Sequence, residues 1–294
     1  MLYVVNRSGN APSHQDAAKW IDMGLEHLRA HAPRICIRGD TDFSLTEHFD
    51  RWAETVDFIF GMDCNAALRT RAEALSEGCW SRLERKPKYE TLTGATRERY
   101  QENEKERIVR EREYLNLHLN FEDVAEFEYQ PGKCSRPYRV VALRKNISKM
   151  KGERVLFDEI RYFFYITTRT DLSAAEVVYC ANERCDQENV VEQLKNGVNA
   201  LRVPLYDLVS NWAYMVMAAL AWNIKSWFAM MMHLKSDRDA YIRMEFRRFM
   251  NSMILIPCCV MRRARSVVVR VIGYQPTLDR LFSVWNNIER AGFT

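Results

Sequence analysis

The first 79 residues alternate between short apolar runs and segments in which apolar residues recur every three or four positions. Short runs of this kind predict strands, and the longer period predicts helices. The predicted order is strand, helix, strand, helix, strand, helix, with the elements at about residues 2–6, 14–31, 34–38, 44–54, 56–60 and 63–77. Strands that alternate with helices indicate an α/β sheet.

The pattern changes between residues 80 and 169. Thr96 to Tyr114 interleaves opposite charges, which predicts a solvated helix. Runs rich in β-branched and aromatic residues then predict strands at 127–130, 138–144 and 162–168. This part also carries a basic streak, which is either ordinary surface charge on a sheet or a surface for nucleic acid: Lys133, Arg136, Arg139, Arg144, Lys145, Lys149 and Lys151.

A nearly continuous apolar run extends from Trp212 to Trp222. It is preceded by Asn211 and followed by Asn223 and Lys225, so it is shorter than the roughly 20 apolar residues that a membrane span needs. The run therefore favours a buried core helix over a membrane span.

The last part of the chain, residues 233–294, forms a basic tail that we expect to be helical. Arg243, Arg247 and Arg248 recur at helical spacing. Arg247 and Arg248 are candidates for contacts with DNA phosphates, each of which would add to the salt dependence of binding. The alternative is a helix with an ordinary basic outer face.

Composition allows a DNA-binding protein without demonstrating one. The chain has 294 residues, 47% of them hydrophobic, and a net charge of +4 with a pI near 8.6. Its eight cysteines include no Cys-x-x-Cys pair, so they indicate reduced and mostly packed thiols in a cytosolic protein. The first residues lack the basic leader and long apolar run of a signal peptide.

A candidate catalytic carboxylate follows the predicted strand at residues 34–38. Ile35, Cys36 and Ile37 form an apolar run that ends at Gly39 and Asp40. A buried strand that delivers an Asp at its C-terminal end matches the place where α/β sheets carry their sites. The alternative is an ordinary turn at the end of a strand, since Gly-Asp pairs are common there.

A second candidate set lies on a predicted helix from Tyr179 to Gly197. At about 100° per residue, Arg184, Glu188 and Lys195 lie at about 0°, 40° and 20° around its axis, which places them on one face. A carboxylate flanked by cations suits a divalent ion bound to phosphates. The alternative is a solvated face on which Arg184 pairs with Glu188.

Together the two segments resemble bacterial insertion-sequence transposases of the DDE type. In that family the second catalytic Asp ends a strand in a sequence like Arg-Gly-Asp-Ser-Gly-Phe, and residues 38–43 here are Arg-Gly-Asp-Thr-Asp-Phe. The catalytic Glu lies on a later helix in the pattern Tyr-x2-Arg-x3-Glu-x6-Lys, whose last three positions match Arg184, Glu188 and Lys195. Two further stretches are similar to the family, residues 199–204 and 208–222.

The resemblance implies roles for these residues. Asp40 and Glu188 would be the catalytic, metal-binding carboxylates, and Arg184 and Lys195 would hold DNA. Intact members of the family use two Mg²⁺ or Mn²⁺ ions. The implied partners are double-stranded DNA, as terminal inverted repeats and as target, and a second copy of the chain on that DNA. The implied location is the bacterial cytoplasm, at the nucleoid, without a membrane.

The resemblance also implies an α/β fold, with an RNase H-like core interrupted by a β-rich insertion and followed by a helical C-terminal tail. The expected domains are the first part of the core at residues 1–79, the insertion at 80–169, the Glu helix and a buried helix at 170–232, and a basic helical region at 233–294.

Two departures from the family pattern bear on activity. The position of the pattern's Tyr is Ala181, and Tyr179 would point roughly 160° away from it on a helix. The family's first catalytic Asp lies on a strand before an Arg-x-Gly-Asn segment, and Leu2 to Asn10 resembles that later segment. Asp16 and Asp22 lie in the following amphipathic helix and do not replace the missing Asp. We therefore expect the C-terminal part of a transposase that binds one ion weakly and does not cleave DNA alone.

Three function hypotheses follow from these motifs and departures. The first is a DDE transposase chain, truncated at its start and inactive, which an upstream in-frame strand bearing an Asp would support. The second is a DNA-binding remnant that competes with intact transposase for element ends. The third is a non-functional relic whose exposed strand edge at residues 2–6 invites aggregation.

Overall fold

A computed structural model describes residues 1–85, 112, 115–151, 154–183, 185–273 and 277–292, with the side chains of residues 185–188 excepted. The predicted charged helix at 96–114 lies outside the described residues, apart from Arg112. The chain divides into two compact units, Pro12–Arg184 and a second unit made of Met1–Ala11 with Cys185–Thr294. The four domain boundaries expected from the sequence stay a prediction.

The first unit is built on one mixed sheet. Its strand order is β1-β2-β6-β5-β4-β3, in which β1 and β2 run parallel and the other neighbours run antiparallel. The sheet, together with the helices of both units, confirms the predicted α/β class and is consistent with an RNase H-like fold. The strands are β1 (Cys36–Gly39), β2 (Asp57–Met62), β3 (Ser81–Arg82), β4 (Leu115–Tyr129), β5 (Tyr138–Lys151) and β6 (Arg154–Thr167).

Helices cover the two faces of this sheet. On one face, Phe58 and Phe60 of β2 pack against a cluster that includes residues of α1 (Ala17–Arg29), α2 (Phe49–Trp52) and α3 (Ala66–Glu73). On the other face, Ile59 packs with Val177 and Val178 of α4 (Ala174–Asn182). Successive residues of β2 thus enter different cores, as the two-residue period of a strand requires.

Several predicted elements of the first unit exist with different bounds. The predicted helix at 44–54 is a 3₁₀ turn, Thr46–His48, followed by the single helical turn α2. The predicted helix at 63–77 is the shorter α3, which begins where the Asn65 side chain accepts a hydrogen bond from the Leu68 amide at 2.9 Å. This Asn is a typical N-cap and fixes the start of the helix.

The second unit is mainly helical. Its helices are α5 (Cys185–Glu192), α6 (Leu208–Met230), α7 (Lys235–Arg243), α8 (Phe246–Phe249) and α9 (Thr277–Arg290), with π-helical turns at Gln193–Gly197 and Met250–Ile254. Its core joins α6, α7, α8, α9 and the second π-helical turn through six buried side chains, Ala229, Met232, Tyr241, Phe249, Met253 and Val284.

The predicted strand at residues 2–6 is wrong, because residues 1–8 form no regular structure. This segment instead lies alongside α6. The Trp212 indole donates to the Val4 carbonyl at 2.6 Å, and the Met1 ammonium donates to the Asn223 side chain at 2.9 Å. Side chains of α6 therefore form hydrogen bonds with the terminal segment, and one of them binds a backbone carbonyl that would pair with a neighbouring strand if the segment were a strand.

The C-terminal tail is mainly helical, as predicted, but it also contains a hairpin that the sequence does not predict. Residues 258–271 form an antiparallel hairpin of β7 (Cys258–Arg263) and β8 (Ser266–Val271). The predicted helical spacing of the earlier arginines is interrupted as well, since α7 ends at Arg243 and α8 begins at Phe246. Arg247 and Arg248 both lie on α8.

None of the helices in the described ranges combines the length and hydropathy needed to cross a membrane. The apolar run at 212–222 lies inside α6, which is 23 residues long. One face of this helix is buried, Asn211 and Lys225 included, whereas Val216, Met217 and Leu220 within the run are exposed. The prediction of a buried core helix is therefore confirmed for one face and wrong for the other.

The prediction that the cysteines are mostly packed is wrong. All seven described cysteines are free thiols, but only Cys134 is buried. Burial raises the pKa of the Cys134 thiol to about 11. The exposed thiols are Cys64, Cys79, Cys258 and Cys259.

Candidate active site

Asp40 lies directly after β1, at the carboxyl end of the parallel strand pair. Two glycines allow this approach. A Cβ atom on Gly39 would lie 2.8 Å from the Phe60 ring, and one on Gly61 would lie 3.2 Å from the Thr41 amide nitrogen. Because the Phe60 ring is completely buried, it has little room to move away. The chain around Asp40 is therefore held close against β2.

The backbone of Asp40 is extended and begins a 3₁₀ turn at Thr41–Phe43. Its carbonyl accepts a hydrogen bond from the Phe43 amide at 3.2 Å. The side chain is half-buried, and its Oδ1 atom is shielded from solvent. The structure thus confirms a strand that delivers Asp40 at its C-terminal end, while the catalytic role of Asp40 stays a prediction.

Two further carboxylates lie near this edge of the sheet. Asp42 accepts a hydrogen bond from the Ser13 hydroxyl. Asp63 is exposed and follows β2 as Asp40 follows β1. Sequence reasoning misses Asp63, although its place after the predicted strand at 56–60 is a usable signal. Among the side chains that the structure describes, no three His, Cys, Asp or Glu residues are grouped so that they could hold a metal ion.

Arg38 connects β1 to the end of α4. Its guanidinium donates to the Cys180 carbonyl at 2.8 Å and forms an ion pair with Glu183 at 3.2 Å. The Cys180 carbonyl belongs to the last turn of α4, where a cation is stabilised by the helix dipole. This contact positions the segment that leads to Arg184.

The prediction of a single helix from Tyr179 to Gly197 is wrong. α4 ends at Asn182, α5 begins at Cys185, and Arg184 between them lies outside the described residues. Glu188 lies within α5, and Lys195 lies in the π-helical turn. The wider i→i+5 turn does not keep 100° per residue, so the common face expected from sequence spacing does not carry through to Lys195.

The π-helical turn packs directly against α8. The Gln193 side chain accepts a hydrogen bond from the Phe246 amide at 2.9 Å. A Cβ atom on Gly197 would lie 3.0 Å from the Phe246 Cβ, so glycine permits this approach. The Arg247 guanidinium donates to the Asn196 carbonyl at 3.5 Å. The turn that carries Lys195 is therefore fixed against the helix that carries the two candidate arginines.

This packing brings together three residues that separate sequence motifs assign to DNA binding. Lys195, Arg247 and Arg248 are all exposed, and we call them the basic cluster. An open cavity of about 470 Å³ adjoins the cluster. Its lining residues are Glu245, Arg247, Arg248, Asn251 and Ser252.

The position of the family's Tyr has a structural role here. Ala181 is half-buried and packs against the core that α4 forms with the sheet. The Tyr179 hydroxyl donates to the Glu84 carbonyl, so this side chain serves the packing of the first unit. The expectation that Tyr179 does not replace the family's Tyr stays a prediction.

Comparison with known proteins identifies a family for this chain. A family model, transposase DDE domain group 1, matches residues 1–293. No curated protein and no solved structure matches the chain. The match covers nearly the whole chain, including Asp40 and Glu188 on which the resemblance was based. The chain belongs to the transposase DDE domain group 1 family.

Proposed function

We propose that this chain is an insertion-sequence transposase of the DDE type, with Asp40 and Glu188 as its metal-binding carboxylates. Membership of the family implies DNA as the substrate and a divalent metal in general. The observation that carries the assignment of Asp40 is its half-buried position at the end of a parallel strand, held there by close packing at Gly39. Glu188 is assigned from the family pattern and its place within α5.

The oxygen ligands of these two residues fit a hard divalent cation such as Mg²⁺ or Mn²⁺. When bound, such ions lower the pKa of an attacking water or 3′-hydroxyl and stabilise the leaving oxygen. Two carboxylates provide few ligands for a pair of ions. We therefore expect weak binding of one ion, and cleavage only where a further carboxylate completes the site.

The basic cluster would hold the DNA backbone. Lys195, Arg247 and Arg248 are exposed cations on packed helical segments, so the backbone positions from which their charges extend are fixed before DNA binds. Each phosphate that they neutralise would add about 0.9 to the slope of log K against log salt concentration. Arg184 is proposed to contact DNA from the family pattern alone.

Metal binding tests the assignment of Asp40. Free Mn²⁺ is measured by electron paramagnetic resonance in a titration of the whole chain. We expect weak binding of one ion by the wild type and none by Asp40→Asn. Asp16→Asn is the matched control, because Asp16 is exposed and has a left-handed φ of 57° that Asn tolerates well. Equal Mn²⁺ binding by Asp40→Asn and the wild type would refute the assignment.

DNA binding without cleavage is the second candidate function, and the basic cluster favours it. A protein with this function would compete with intact transposase for terminal inverted repeats in the cytoplasm, at the nucleoid. Duplex binding in EDTA, together with no strand cleavage in Mn²⁺, would support this function. Strand cleavage that is lost in Glu188→Gln would instead support the first proposal. A chain that acts on DNA as a homodimer would show two copies per duplex in sedimentation.

A further inference from the structure

One stretch of the second unit is basic and free of acidic residues. Residues 246–278 contain six arginines and no Asp or Glu. Their positive charge exceeds the net charge of +4 on the whole chain. Four of these arginines lie in the hairpin of β7 and β8: Arg262, Arg263, Arg265 and Arg270.

The hairpin forms a narrow ribbon. Its strands pair without a register shift from Cys258 opposite Val271 to Arg263 opposite Ser266, and residues 264–265 make the turn. The Ile272 amide donates to the Pro257 carbonyl at 2.9 Å and closes the base. Three of the four arginines therefore lie within four consecutive residues at the tip, which we call the arginine tip (Arg262, Arg263 and Arg265).

The ribbon is exposed on both faces. All residues of its two strands are exposed except Met261 and Val271, which are half-buried. A two-stranded ribbon alone is at best marginally stable in water. Here its base follows the π-helical turn that contains Met253, and this residue is buried in the helical core together with Val284 of α9. The helical core therefore anchors the ribbon while both of its faces stay accessible.

The two faces differ in chemistry. On one face, Val260, Val267 and Val269 lie beside Arg262. On the other, Arg263 and Arg270 lie on the same side as Met261 and Val268, since alternate residues of a strand share a face. Arginines thus extend from both faces at the tip, and an apolar strip lies behind Arg262.

We propose that this ribbon enters the major groove of duplex DNA with the arginine tip leading. The inference rests on DNA as the substrate of the proposed function. Paired strands lie about 4.8 Å apart, and a major groove about 12 Å wide admits a two-stranded ribbon with its side chains. A minor groove about 6 Å wide does not admit it without deformation. The tip guanidiniums would reach guanine edges and phosphates, and the valines would contact thymine methyl groups.

The geometry favours DNA over a flat anionic surface. A membrane or an acidic protein face would meet the tip arginines but leave the exposed valines on the sides of the ribbon in water. A groove encloses the ribbon, so it covers the tip and both faces together. Binding to anionic lipid is therefore an outcome that the test must separate from DNA binding.

The test compares variants of the whole chain on a 40-bp mixed-sequence duplex by fluorescence anisotropy across a range of KCl concentrations. Neutralising the tip with Arg262→Gln, Arg263→Gln and Arg265→Gln should reduce the slope of log K against log salt concentration by about 0.9 for each tip arginine that contacts a phosphate, and by about 2.7 at most. Affinity should fall at least tenfold at low salt. Far-UV circular dichroism checks that the variant is folded.

A matched control removes the same charge elsewhere in the second unit. Arg202→Gln, Lys235→Gln and Arg290→Gln together neutralise three cations that are exposed and outside the ribbon. This triple variant should keep the wild-type slope. If it loses slope as much as the tip variant does, the effect is one of net charge and the ribbon inference is wrong. A single change at the turn, Ala264→Glu, adds a negative charge without removing any arginine and should also weaken binding.

Groove-specific competitors separate the remaining outcomes. Methyl green, which occupies the major groove, should displace the wild-type chain, and distamycin, which occupies the minor groove, should not. Displacement by distamycin alone would overturn the major-groove assignment. Binding of the wild type to vesicles with 30% phosphatidylserine, lost in the tip variant while DNA binding stays unchanged, would overturn the inference in favour of lipid. Absence of any DNA binding by the wild type would refute the proposed function itself, whereas equal binding by wild type and tip variant would refute only the ribbon inference.

Discussion

Lys225 is a buried cation in the C-terminal third of α6, and its environment allows a quantitative prediction. The side chain is completely buried, and its ammonium donates to the Ile242 carbonyl at 2.8 Å and to the Met244 carbonyl. It also lies 4.4 Å from the centre of the Trp222 ring. These carbonyls belong to the end of α7, so the ammonium satisfies acceptors that a helix terminus otherwise leaves without donors.

Lys225→Met removes the charge and keeps an unbranched side chain. Hydrogen bonds from a charged donor contribute about 1.5–3 kcal/mol each, and two are lost. Burial lowers the pKa of Lys225 from 10.5 to about 8. At about 1.4 kcal/mol per pKa unit, this shift corresponds to a free-energy cost of roughly 3 kcal/mol for burying the charged ammonium. Lys225→Met does not incur this cost. We therefore expect the variant to be about 0–3 kcal/mol less stable than the wild type at pH 7.

The pH dependence is the sharper part of this prediction. Because the pKa of Lys225 is lower in the folded state, the unfolded chain binds more protons between about pH 8 and 10.5. The free energy of unfolding attributable to Lys225 therefore rises with pH across that window, by up to roughly 3 kcal/mol relative to Lys225→Met. Below pH 8 both states hold the proton, so the difference between wild type and variant is constant there.

Urea unfolding followed by far-UV circular dichroism from pH 7 to 10.5 measures this difference. Lys235→Met is the matched control, because Lys235 is an exposed lysine at the start of α7. Its difference from the wild type should not change with pH. A constant difference between wild type and Lys225→Met up to pH 10.5 would show that Lys225 is not desolvated, and the packing of α7 on α6 would need revision.

Two further predictions concern the first unit. Gly39→Ala should destabilise the chain by about 1–3 kcal/mol in thermal unfolding, because its Cβ would lie 2.8 Å from the buried Phe60 ring. Gly78→Ala is the control, since no atom lies within 4 Å of its added Cβ, and an equal loss of stability in both variants would contradict the steric argument. The Cys134 thiol, whose pKa burial raises to about 11, should react with a disulfide reagent at pH 8 far more slowly than the exposed thiols. The exposed thiols should give the fast phase of this reaction. If the amplitude of that phase is the same in Cys134→Ser as in the wild type, the prediction is confirmed, and a smaller amplitude in the variant would contradict it.

The elements that the sequence predicts well are those whose packing follows their own periodicity. The alternation in residues 56–60 places Phe58 and Phe60 on one face and Ile59 on the other, and the structure has both cores. The strand that ends at Asp40 is predicted for the same reason, since its apolar run and its glycine are adjacent in sequence. In these cases the local pattern already contains the contacts that determine the element.

The elements that the sequence predicts wrongly make their decisive contacts with residues that are distant in sequence. The run at residues 2–6 has the composition of a strand, but its hydrogen bonds go to Trp212 and Leu208, about 200 residues later. The predicted helix at 179–197 contains a break at Glu183, whose carboxylate pairs with Arg38 of β1. Local propensity does not carry this information, because tertiary contacts decide between conformations of similar local stability.

The basic cluster shows how such distant contacts change an interpretation of function. Sequence spacing places Lys195 with Glu188 on one helical face and leaves Arg247 and Arg248 in a separate tail. The π-helical turn removes Lys195 from that regular face, and the Gln193–Phe246 hydrogen bond fixes the turn against α8. Three cations from two motifs then lie on adjoining segments, and a shared surface for phosphates is a property of their packing. Consequently, Gln193→Ala should weaken DNA binding although it removes no charge, because it releases the turn that carries Lys195. Asn189→Ala, at an exposed position within α5, should leave binding unchanged, and an equal loss in both variants would show that the cluster does not depend on this packing.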